Sequence, residues 1–143
     1  EPYTDNTCGR IKMGYQDDYA MRTITDLVRA IARLALGKED ISYELSQNPE
    51  DDRGPEALYR RITAMAEAGD INGAENCLYE ELDTDDTGYL EMGLAFYMFI
   101  NQFSDEFLYG ASYSREEVVD GINSLSAQFG ISGFESFVDT TIL

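Results

Sequence analysis

Residues 19–37, YAMRTITDLVRAIARLALG, carry the longest unbroken helical period in the chain. Met21, Ile24, Val28, Ile31 and Ala35 recur at alternating spacings of three and four, and Leu27 and Leu34 widen that line into a broad apolar face. Arg22, Asp26, Arg29 and Arg33 recur on the opposite side, so each arginine lies within a turn of the aspartate or of another arginine. Asp17 and Asp18 are expected to open this helix, because carboxylates complement its exposed amides and the positive end of its dipole. Gly37 is expected to stop it. The spacing of Met21, Ile24, Leu27, Val28, Ile31 and Leu34 also suits a partner helix, and the long connection after Gly37 leaves this face able to pair across a two-fold axis. The sequence therefore predicts a homodimer built on the helix near residues 17–36.

Outward from this helix, residues 1–12 mix Pro, Asn, Thr and Gly without periodicity and read as a flexible leader to a helical domain over 13–143. Beyond Gly37, alternation is confined to Ile41, Tyr43 and Leu45, and Pro49 and Pro55 argue against a continuous helix. A helix restarts after Pro55 with Leu58, Ile62, Met65 and Ala66 on one side. Gly69 and Asp70 end it and cap the next, whose stripe is Ile71, Ala74, Leu78 and Leu82. This antiparallel hairpin over 56–82 resembles one tetratricopeptide repeat, with Ala74 at a small position and Leu78 at a bulky one. It departs from that pattern at Ile62, and no period of about 34 residues follows. Residues 89–103, YLEMGLAFYMFINQF, are apolar nearly all round and predict a central, buried helix. A short turn opens at Ser104 and is expected to break at Gly110. Ser114 and Glu117 have capping-box spacing ahead of Val118, Ile122, Leu125 and Phe129. Ser132 and Glu135 repeat that spacing ahead of Phe137, Val138 and Ile142. The fold class is all-α, a single domain of five or six helices.

Composition narrows the function. The net charge of -18 disfavours nucleic acid or anionic membrane held on a basic surface. Up to Arg61 there are 12 acids and 9 bases, and beyond it 16 acids with Arg115 alone, so the second half is the acidic pole. The chain has no histidine, which removes imidazole ligands and every Ser-His or Cys-His pair. No catalytic residue, cofactor or enzyme activity is expected. Cys8 and Cys77 form no CxxC pair and read as reduced thiols. No apolar run approaches the ~20 residues needed to cross a bilayer.

Asp83, Asp85, Thr87 and Glu91 occupy alternate positions of a calcium-loop pattern, with Gly88 at the turn. Leu94 stands where a bidentate glutamate is required, so the row is a degenerate metal site and no metal is expected. Glu80, Glu81, Asp83, Asp85 and Asp86 crowd together there, which could raise a carboxylate pKa. Tyr97, Tyr109 and Tyr113 read as core-edge residues with hydroxyls in water.

Several strings also occur together: Gln16-Asp17-Asp18-Tyr19, Met21-Arg22, Leu27-Val28-Arg29-Ala30-Ile31, Gly37-Lys38, Gly69-Asp70-Ile71-Asn72, Ala74-Glu75-Asn76 and Ser104-Asp105-Glu106-Phe107. With them, residues 15–129 resemble a family of short acidic bacterial proteins, mostly of Gram-positive anaerobes, known only as a domain of unknown function. The resemblance implies an all-helical cytoplasmic protein and supplies no catalytic residues. The functional expectation is a non-catalytic interaction or scaffold protein. Its alternatives are an acidic mimic of nucleic acid that occupies a DNA-binding protein, and a degenerate calcium-binding protein using the 83–91 loop.

Overall fold

Across residues 8–38 and 54–131, which the computed structural model describes with side chains from residue 18 onward, the chain forms six helices and no strand. The all-α expectation of five or six helices is met. The extended piece at 41–45, Pro49, and the last turns around Phe134, Phe137, Val138 and Ile142 lie outside the described residues.

Helix α1 spans Cys8–Leu36, so it starts well upstream of Asp17 and Asp18. Nothing between Cys8 and Asp17 stops a helix, since the segment contains no proline and its two glycines, Gly9 and Gly14, stand apart. The two aspartates are thus interior residues and not caps, and the helical part of the expected leader begins at Cys8. Gly37 ends α1 in the left-handed region, at φ 66°.

α2 (Gly54–Glu67) and α3 (Ile71–Glu81) form the expected hairpin. Pro55 takes the first turn of α2, where its missing N–H costs nothing. The hairpin closes by a Schellman motif: Gly69, at φ 95°, donates its N–H to Ala66 O at 3.0 Å, and Asp70 N–H reaches Met65 O at 2.9 Å. Asp70 then turns its side chain onto Gly73 N–H and caps α3.

α4 (Thr87–Asn101) is the central element, packed on α1, α2 and α6. Leu90, Met92, Leu94, Ala95, Phe96, Tyr97 and Ile100 are all buried, as an all-round apolar helix requires. α5 (Asp105–Gly110) is capped by Ser104 and α6 (Arg115–Gln128) by Ser114, whose Oγ accepts from Glu117 N–H at 3.2 Å. The end of α5 differs from expectation. Gly110 is its last helical residue, and the left-handed position falls on Ser112, at φ 59°, where Tyr113 N–H closes on Leu108 O at 2.9 Å.

α1 packs on α4 and α6, and Ile24, Leu27, Val28 and Ile31 have no accessible surface left within the single chain. This corrects the expected dimer face. Those four residues are core, because α4 and α6 cover the apolar side of α1. Met21 is half-buried and Leu34 stays 67% exposed. A partner would have to meet the other side of the helix.

Candidate functional site

An open groove in the described fold lies beside α4, and two polar networks hold the flanks of that helix. On one flank, Asn101 near the end of α4 donates through Nδ2 to Met21 O in α1 at 3.0 Å and lies 3.5 Å from Thr25 Oγ1. Its Oδ1 accepts from Arg115 Nη1 at 3.0 Å. Arg115 is 6% exposed, and it also donates to the Asn101 carbonyl, to the Phe103 carbonyl and, through Nε, to Asp105 Oδ1 at 3.1 Å. One guanidinium therefore collects the orphan carbonyls at the C-terminus of α4 and a carboxylate of α5. Its burial is tolerable because its charge is paired and its donors are engaged.

On the other flank, Glu75 of α3 accepts from Tyr97 Oη at 2.6 Å and lies 3.0 Å from Tyr113 Oη. Tyr79 Oη is 3.0 Å from Gly121 O and 3.2 Å from Tyr97 Oη. Burial, followed by the Tyr79 and Glu75 charges, pushes the Tyr97 hydroxyl well above its usual pKa. Burial and then Glu75 push Tyr113 up, and burial raises Tyr79. These hydroxyls stay protonated and act as donors. Of the three tyrosines expected at the core edge with hydroxyls in water, Tyr97 and Tyr113 are buried and Tyr109, at 85% exposure, is in water. α6 comes close enough for this clasp because Gly121 faces Tyr97, where a Cβ would overlap the phenol ring and hydroxyl.

Above the Asn101 network lies an open groove of about 550 Å³ between α1 and α4. Met21, Thr25, Met98 and Asn101, all half-buried or buried, line its inner part, and Asp18, Arg22, Asp26, Arg29 and Gln102 are its exposed side chains. A smaller opening of about 330 Å³ adjoins the tyrosine clasp, lined by Glu75, Asn76, Tyr79, Glu117, Asp120, Gly121 and Ser124.

The residues singled out for metal binding have other occupations. Asp83 Oδ1 accepts from Asp85 N–H at 3.0 Å, and Asp86 caps α4 through Gly88 N–H at 2.8 Å. Thr87 is already the first residue of α4, so Thr87, Glu91 and Leu94 ride on a helix and not on a loop. Glu91 is bound by Lys38 Nζ at 2.5 Å. Among the described residues no three Cys, Asp or Glu side chains converge as metal ligands. In the crowded acidic stretch, Glu81 is pulled below its usual pKa, chiefly by its hydrogen bonds from Arg61 at 2.6 and 2.7 Å. Cys77 is a free, half-buried thiol 3.9 Å from Met65 Sδ, while the Cys8 side chain lies outside the described residues.

The sequence marks Arg115 only as the lone base beyond Arg61, a single cation among 16 acids, and it gives no role to Glu75 or Asn101. Glu75 and Asn101 carry no comparable local mark.

A family model matches residues 14–130, from within α1 to the glycine that ends α6. The chain belongs to that family, a family of unknown function (DUF6483). No curated protein and no solved structure matches it. The DUF6483 match spans the groove, both networks and all six described helices except the first residues of α1, which agrees with the resemblance over 15–129. Among the described residues, no helix of this DUF6483 chain is long and apolar enough to cross a membrane.

Proposed function

We propose that this DUF6483 protein is a non-catalytic interaction protein that associates with a second copy of itself through the outer side of α1 and the groove beside α4. The groove carries this reading. It is open, its inner part holds two methionines, which adapt to a packed partner, and its exposed residues are charged groups of both signs. The polar atoms beneath it are committed, since Asn101 is held by Met21 O and Arg115. The groove thus offers contact area and orientation, and the buried titratable hydroxyls of the fold sit elsewhere, serving Glu75.

The charge distribution bears on which face such an association uses. Two chains of net charge -18 repel each other. The approach that repels least is through α1, which carries Arg22, Arg29 and Arg33 on its exposed side, and away from the carboxylates of α3, the 83–86 loop and the start of α6. Light scattering over a dilution series tests it. The expected mass at roughly tens of micromolar is about twice 16.1 kDa, falling toward 16.1 kDa on dilution. A mass that stays at 16.1 kDa at every concentration would contradict the proposal.

A further inference from the structure

Along the groove, the exposed side chains of α1 alternate in sign: Asp18, Arg22, Asp26, Arg29, at spacings of four, four and three. Such a row is its own complement when reversed. If a two-fold axis passes level with residue 24 and perpendicular to α1, the helix meets its copy antiparallel, and Arg22 of one chain stands level with Asp26 of the other. Asp18 then stands within one residue's rise, about 1.5 Å, of Arg29 in the other chain. Each opposition is made twice, as an isologous interface demands. The geometry points to a second copy of this chain as the occupant of the α1–α4 groove, docked antiparallel in the one register where Arg22 faces Asp26 across the axis. This rests on the self-association proposed above.

Other registers match less well. Moving the axis level with Asp26 sets that residue against its own copy, and moving it midway between Leu27 and Val28 keeps Asp26 level with Arg29 but sets Arg22 against Arg33. Exposed ion pairs contribute little apiece, so the apolar lining supplies association while the row selects the register and excludes the others. Met21 and Met98 line the groove beside the row, in the part that a second helix would cover.

Two single charge reversals and their mixture test the row in the full chain. Arg22→Asp places carboxylates opposite Asp26, and Asp26→Arg places guanidinium groups opposite Arg22, in both cases twice per dimer. Each variant alone should associate about tenfold more weakly or worse. Mixed in equal amounts they should recover wild-type association, because the mixed dimer restores every Arg22–Asp26 opposition with the signs exchanged on one side. General repulsion predicts something else: Asp26→Arg makes the chain less negative and would strengthen association. Both positions are exposed, and recovery on mixing shows in the same measurement that the variants are folded. Circular dichroism of each variant alone provides a second check. A dimeric wild type whose single variants associate as it does, or whose folded variants fail to recover on mixing, would overturn this register and leave self-association standing on another face. A monomeric wild type would overturn both.

Discussion

On the flank of α4 that faces α3 and α6, the buried Tyr97 and Tyr113 close on the half-buried Glu75. On the flank that faces α1, the buried part of the polar network ends at Asn101, and Asp18, Arg22, Asp26 and Arg29 lie exposed above it. The same helix thus carries a clasp of hydrogen-bonded hydroxyls on one side and a row of exposed charges on the other. Where polar groups are buried together, they specify how helices pack, since any other arrangement leaves one of them unsatisfied. Where charges stand exposed in a patterned row, folding gains little from them, and their arrangement can serve recognition. The two flanks should therefore respond to mutation in opposite ways, the closed one in stability and the open one in association.

The largest stability effect is expected at Arg115, whose removal strands the Asn101 and Phe103 carbonyls and Asn101 Oδ1. Arg115→Met should cost about 3–5 kcal/mol, read as a fall in the urea midpoint. A shift comparable to that of an exposed arginine would show that the network is decorative.

Alkaline pH should strike the closed flank next. Tyr79, Tyr97 and Tyr113 have folded pKa values raised above the ordinary 10.0. The unfolded chain therefore releases these protons first, and their contribution is intact below pH 10.0 and lost as pH rises beyond it. Tyrosinate absorbance for these three should appear together with loss of helix. Titration of all the tyrosines with the helical spectrum intact would break the comparison.

A more local change, Tyr97→Phe, removes one donor from Glu75 and should cost about 1–3 kcal/mol, whereas Tyr109→Phe at an exposed site should change nothing measurable. The smallest stability effect belongs to the open flank. Arg22→Asp should move the urea midpoint of the monomer by no more than about 0.5 kcal/mol equivalent. A large loss there would mean that the row serves folding after all.

The helices were legible because their signals are local. Ser114 with Glu117, Ser104, and Asp70 after Gly69 each satisfy orphan amides within a turn, and the all-round apolar string of α4 requires burial whatever surrounds it. The apolar face of α1 was read correctly as a face and wrongly as an interface, since one periodic stripe cannot say whether α4 and α6 or a second chain covers it. Residues far apart in sequence were not legible. Arg115 reaches back to the end of α4, Glu75 gathers hydroxyls from Tyr97 and Tyr113, and Gly121 matters only because Tyr97 lies against it. Each of these depends on which helices meet. That is settled by packing across the core and leaves no spacing within a single helix.

The face used for association can be located by a distance between copies. With Cys8 and Cys77 replaced by serine, a spin label on Thr23→Cys sits one residue from the inferred axis and outside the groove lining, and a label on Asp85→Cys sits on the acidic side, in the 83–86 loop. Pulsed electron resonance should find the Thr23 labels separated by little more than one helix-packing distance of about 10 Å plus the label arms, and the Asp85 labels much farther apart. Distant Thr23 labels in a dimeric protein, or Asp85 labels closer together than those at Thr23, would contradict the account.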